Sequence, residues 1–200
     1  MPHKEYHKFL FVGMSDELAY CIGVYLGDGF VSKRNKFGLS VKDEDFADKF
    51  KQSVEIVTGW SVNKYRETRK DGHVIYQITV GSKSLCDFLK KTTKSKTVLP
   101  FDLIKGHERP FLLGVIDSEG SIVRLWNKTS FNVNIAGTEK WFLKLGEILT
   151  TVGIKHWFKK YFRKDRGYYE YRYNVNARSY KESNLSFSIE RKRKLLDEVK

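Results

Sequence analysis

Apolar and polar positions follow one order of elements along this chain, and that order occurs twice. Residues 16–29 and 109–120 are apolar stretches with helical spacing, and each closes on a small residue, an acid and a glycine. The acids are Asp28 and Glu119, 91 positions apart. After Asp28, residues 30–32, a basic turn at 33–36 and residues 37–42 predict a β-hairpin. After Glu119, residues 121–126, a turn at 127–129 and residues 130–136 predict its counterpart. The second strand alternates in both copies. Phe37, Leu39 and Val41 oppose Lys36, Gly38, Ser40 and Lys42, while Phe131, Val133 and Ile135 oppose Asn132 and Asn134. Such alternation puts one face on a core and the other on something polar. A helix follows in each copy. Residues 45–58 carry Phe46, Phe50, Val54 and Val57, and residues 138–152 carry Trp141, Phe142, Leu145 and Leu149; Gly59 and Gly153 supply the stops. A second hairpin is predicted at 61–68 and 74–80, and again at 156–162 and 168–176. A further helix begins at Ser84. The chain thus reads as α+β, with two pseudo-symmetric αββαββα repeats at 1–91 and 110–200 joined by a linker at 92–109. A basic segment, 190–194, closes the second copy.

Charge adds a partner to this picture. The 200 residues hold 37 Lys and Arg against 24 Asp and Glu, a formal net charge of +13. A surplus of that size favours a polyanion, because phosphate contacts release condensed counterions. Cys21 and Cys86 sit in apolar runs and read as buried free thiols. The five histidines are scattered and make no metal-ligand spacing. No stretch of 18 apolar residues and no signal-peptide pattern occurs, so a soluble, intracellular protein without a membrane partner is expected.

The two acid-tipped helices carry the candidate chemistry. Gly23 and Gly27 share a helix face, as do Gly114 and Ser118. Small residues four apart let two backbones approach closely, so the two helices are expected to pack together at the centre of the molecule and bring Asp28 and Glu119 near each other. A carboxylate at a helix C-terminus meets the negative end of the macrodipole, at a cost of about 0.3–1 kcal/mol. Two of them side by side ask for a cation. Mg²⁺ takes one or two carboxylates with further oxygens, and the carbonyls of Gly27 and Ser118 are natural additional ligands.

At these residues the chain resembles the LAGLIDADG family of homing endonucleases, in its monomeric two-motif form. The stretches at 22–29 (IGVYLGDG) and 112–120 (LLGVIDSEG) match the two family motifs; the first departs at Leu26, where the motif has an acid. The resemblance implies two four-stranded antiparallel sheets forming a saddle over double-stranded DNA. It also implies that the last acid of each motif binds divalent metal and cuts one strand across the minor groove, leaving short 3′ overhangs. Asp28 and Glu119 are then the metal-binding and catalytic acids. The metal is Mg²⁺ or Mn²⁺, with Ca²⁺ binding without supporting cleavage. Lys42, and Lys94 or Lys96, fit the places of assisting basic residues. The second copy has Ala136 or Gly137 where Lys42 would sit, and the segment 191–194 is the alternative source.

Recognition falls to the polar strand faces, since a β-ribbon fits the major groove. Candidates in the first half are Lys33, Arg34, Lys36, Ser40, Lys42, Arg66, Arg69, Gln77 and Thr79. In the second half they are Arg124, Asn132, Asn134, Arg172, Asn174 and Asn176. The halves differ at nearly every one, so a long asymmetric target and a monomer are expected. Two other roles stay open: a non-cleaving regulator of the same fold, and an intron RNA splicing cofactor.

Overall fold

The structure is a computed structural model, and it describes residues 8–125 and 130–199. The turn expected at 127–129, and Trp126 before it, lie outside the described residues. The first half runs α1 (Asp16–Leu26), β1 (Phe30–Val31), β2 (Lys36–Val41), α2 (Glu44–Thr58), β3 (Lys64–Thr68), β4 (Val74–Gly81) and α3 (Lys83–Thr92). The second runs α4 (Glu108–Glu119), β5 (Gly120–Arg124), β6 (Phe131–Gly137), a 3₁₀ turn (Lys140–Lys144), α5 (Leu145–Thr151), β7 (His156–Arg163), β8 (Tyr168–Asn176), α6 (Ala177–Glu182) and α7 (Glu190–Asp197). Each half contributes one antiparallel sheet of four strands, in the orders β1-β2-β4-β3 and β5-β6-β8-β7.

Local chemistry sets the boundaries. Ser15 caps α1 by accepting from the Leu18 N–H, and Ser82 caps α3 through the Leu85 N–H. Gly59 and Gly153 stop the middle helices with φ of 71° and 79°, the left-handed turn that glycine takes without strain. The expected single helix at 138–152 instead opens as a 3₁₀ turn. Trp141 and Phe142, adjacent in sequence, are both buried with ring centroids 4.7 Å apart. A tighter turn followed by the α-helix seats both rings and still buries Leu145, Ile148 and Leu149. One element exceeds the expected repeat: the basic segment at the C-terminal end forms α7, which buries Lys192 and Leu196.

Cores lie between each sheet and its helices, and α1 and α4 join them. Phe37, Leu39, Phe46, Phe50 and Ile78 fill the first; Val133, Ile135, Phe142, Leu149 and Val175 fill the second. The residues between α3 and α4 pack as well, with Thr93, Leu99 and Ile104 buried. No helix among the described residues is long and apolar enough to cross a membrane.

Candidate active site and nucleic-acid interface

Two acids meet where α1 and α4 end. The approach of these helices is set by absent side chains. A Cβ at Gly23 would stand 2.2 Å from the Phe111 carbonyl oxygen, and one at Gly114 would stand 2.3 Å from that of Tyr20. At the acidic ends, a Cβ on Gly27 would stand 2.5 Å from Ser118 Cβ and 3.3 Å from Glu119 Cγ. Glu119 is the last residue of α4, while Asp28 lies just past Gly27, the C-cap of α1. Burial pushes the Glu119 carboxyl up, the nearby charge of Asp28 adds to this, and the group reaches about 7. Burial also raises Asp28, against the pull of Lys192 and Lys96.

Those two lysines are the cations of the site. Lys96 Nζ donates to the Gly27 carbonyl at 2.7 Å and lies over the Tyr25 ring. Its backbone belongs to a left-handed turn, with φ of 44° at Lys94, 55° at Ser95 and 72° at Lys96. Hydrogen bonds from Ser95 N–H to the Lys90 carbonyl and from Lys96 N–H to Thr93 Oγ1 hold that strained turn. Lys192, on α7, donates to the carbonyls of Gly120 at 2.7 Å and Asp117 at 3.2 Å, and is buried. Burial makes the proton of each ammonium easier to lose than in water.

Other expected helpers sit elsewhere. Lys94 shares the turn but is exposed. Lys42 is exposed at the end of β2, in a hollow lined by Asp43, Glu44, Asp45, Asp48, Ile189, Glu190 and Arg191. The positive charges acting on Asp28 and Glu119 come from Lys96 and Lys192 and from neither of these, while Glu139 adds a further negative charge near Glu119. Of the expected carbonyl ligands, that of Gly27 accepts from Lys96, and the Ser118 hydroxyl donates to the Gly114 carbonyl at 3.0 Å. The carboxylates of Asp28 and Glu119 supply the oxygen donors that suit a hard dication.

Strand register decides which residues share the outer sheet faces. Gly38 pairs with Thr79, and Ser40 pairs with Gln77, which pairs with Tyr65. These residues face away from the core residues Phe37, Leu39 and Ile78. Lys33, Arg34 and Lys36 join Tyr65, Gln77 and Thr79 around one hollow. In the second sheet Asn132 pairs with Asn176, Asn134 with Asn174, and Ala136 with Arg172. Trp157 and Lys159 extend this face through their pairing with Asn174 and Arg172. Arg172 lies over the Tyr161 ring and donates to Glu170 at 2.6 Å.

Three expected contacts fall off these faces. Arg66 pairs with Tyr76 and so shares the side of Lys64, whose ammonium bonds Glu44 and Asp48 of α2. Arg124 pairs with Phe131 on the core side and bonds Glu198. Arg69 follows β3 in the turn, where its backbone bonds His73 and Gly72. Asn176 keeps its place on the outer face but spends its side chain capping α6 through the Ser179 N–H.

The profile of the LAGLIDADG-like domain matches residues 15–93. Over 96% of its length the chain is 28% identical to an uncharacterized protein of Methanocaldococcus jannaschii, covering 74% of that protein. Its fold is similar to that of the homing endonuclease I-WcaI bound to its DNA recognition sequence, with a TM-score of 0.64, 12% identity, and 96% and 93% of the two chains covered. It is also similar to the N-terminal LAGLIDADG domain of DUF199/WhiA, with a TM-score of 0.52, 15% identity, and 80% and 76% covered. A LAGLIDADG-like domain thus accounts for the first half of the chain, and the second half repeats its fold. The chain's two motif helices are α1 and α4, and both of its sheets have the four antiparallel strands that the resemblance implied. Four outer-face residues, Tyr65, Trp157, Lys159 and Tyr161, were not among the expected contacts. All four lie on edge strands, where mixed aromatic and basic residues blur the period-2 pattern; pairing through β3–β4 and β7–β8 reveals their side.

Proposed function

We propose that this chain is a LAGLIDADG protein throughout and a site-specific DNA endonuclease that hydrolyses both strands of a long, asymmetric duplex with a divalent metal. One observation carries the reading. Two carboxylates converge at the touching ends of the motif helices, half-buried Lys96 of the connector and buried Lys192 of the second half stand beside them, and a polar sheet face lies in each half. A core would not choose this arrangement. Burial and mutual repulsion hold Glu119 at about 7, which marks a site short of positive charge.

Asp28 and Glu119 would hold the dication. Mg²⁺ or Mn²⁺ there would stabilise phosphate charge and make an attacking water more acidic. The remaining work falls to the chain. Lys96 and Lys192 present ammonium groups that offset charge growing on the scissile phosphates. Their eased protons suit donation to a leaving 3′ oxygen. Lys33, Arg34, Lys36, Ser40, Gln77 and Thr79 in one half, and Asn132, Asn134, Arg172 and Asn174 in the other, would read base edges. Both halves are present in one chain, so a monomer would suffice. The fold alone does not dictate cleavage; the paired acids favour it over plain binding.

The test is incubation with a randomised duplex library and Mg²⁺, followed by sequencing of cut ends. A single long site with 3′ overhangs is expected. Asp28→Asn and Glu119→Gln should each lower double-strand cutting by at least about 100-fold, with binding to the selected site kept. Binding without any cutting by the wild type would leave a non-cleaving binder of DNA or RNA.

A further inference from the structure

We infer that Asp117 is a positioning residue: its buried carboxylate docks the C-terminal segment so that Lys192 stands beside the paired acids, and this fixture serves one cleavage centre and not the other. Of the two lysines, Lys192 acts on Asp28 more strongly than Lys96 does. The inference rests on the endonuclease reading above.

Asp117 sits two residues before Glu119 on α4 and is 1% exposed. Its Oδ2 accepts from the Tyr20 hydroxyl at 3.0 Å, and its Oδ1 accepts from the Ser188 backbone N–H at 2.9 Å. Ser188 lies just ahead of α7. The Asp117 main-chain carbonyl receives Lys192 Nζ, which also donates to Gly120. One residue thus grips the segment with its side chain and the lysine with its backbone. Further ties fix the rest. Arg109 donates to the Ser183 carbonyl, Arg191 grips both oxygens of Asp43 at 2.7 and 2.9 Å, and the Glu190 N–H bonds Asp45. Asp43 and Asp45 belong to the first half, so α7 reaches across the molecule to seat Lys192.

Packing alone does not call for an acid here. At the matching place of the first motif stands Leu26, 2% exposed. A buried carboxylate costs several kcal/mol unless its hydrogen bonds are made, and apolar Leu26 avoids that cost. Among the described residues the first centre also has no counterpart of the docked segment. Lys96 reaches Gly27 from a left-handed turn held by Lys90 and Thr93. Loss of Asp117 should therefore disarm only the centre that Lys192 serves.

The experiment uses the full chain and a duplex carrying the site selected from the library, with each strand labelled separately. Asp117→Leu copies the residue of the other motif. Ser188→Pro removes the same hydrogen bond without touching α4, which guards against a folding defect in the first variant. Lys192→Ala removes the lysine itself. All three should slow cutting of one and the same strand by at least about tenfold, with the other strand within about twofold, so supercoiled plasmid accumulates as the nicked form. Asp117→Asn should behave as wild type, because its amide oxygen accepts from Ser188 N–H and its amino group can donate to the Tyr20 oxygen. Equal slowing of both strands in variants that melt like wild type would overturn the inference and leave the endonuclease reading intact. So would an Asp117→Asn protein as impaired as Asp117→Leu. A wild type that cuts no sequence in the library would bring down both.

Discussion

Glu119 shows what one residue gives up for the site. Burial, then the neighbouring charge of Asp28, move its carboxyl from the usual 4.5 to about 7. Between those values the folded chain holds a proton that the unfolded chain has lost. Stability is therefore fully present below about 4.5 and falls as pH rises through about 7. Glu119→Gln removes the ionisable group. In EDTA at pH ~8, urea unfolding should show a gain of about 1–3 kcal/mol, with little gain at pH ~5. A variant less stable than wild type at the higher pH would contradict the electrostatic account. The importance of Glu119 and Asp28 was legible in the chain because each closes a repeated apolar stretch. Lys96 and the segment holding Lys192 were among the candidates as well, but the choice of these two over Lys42 and Lys94 was not legible. A lysine's reach depends on the turn or helix that carries it, and neither the left-handed turn at 94–96 nor α7 has a local signature strong enough to read.

The pair of motif helices is the element on which the site depends. Glycines at 23 and 114 bring backbone onto backbone, and the sequence shows this as small residues at helical spacing. Gly23→Ala must push a methyl into the Phe111 carbonyl, which belongs to the α4 backbone and cannot swing aside as a side chain would. The unfolding free energy should drop by roughly 1–3 kcal/mol or more, and cutting should suffer beyond that loss because the ends of the helices separate. Urea titration beside a cleavage assay would check both. Helix α7 escaped sequence reading because its composition is that of a basic tail. Its Lys192 bonds carbonyls of the α4–β5 junction, formed by residues some seventy positions earlier, and its Leu196 is buried.

At the scale of the molecule, two halves present differently furnished outer faces joined by one pair of helices. The net charge of +13 and the basic hollow around Lys33, Arg34 and Lys36 would make the proposed duplex binding an electrostatic event in large part. If roughly 6–10 phosphates are neutralised, affinity for the selected site should fall about 10³–10⁵-fold between ~50 and ~200 mM salt. Fluorescence anisotropy across that range measures the slope. A flat response would move the binding surface away from these faces.

The sequence by itself determined the repeat, the element order, the acids and the small residues that let two helices touch, because periodicity and glycine placement are local properties of the chain. Only the tertiary structure decided which lysines attend the acids, which strand residues look outward and that Arg66 and Arg124 do not. Those outcomes depend on strand register and on contacts between residues far apart in sequence, and a change of one position in register moves a side chain to the opposite face.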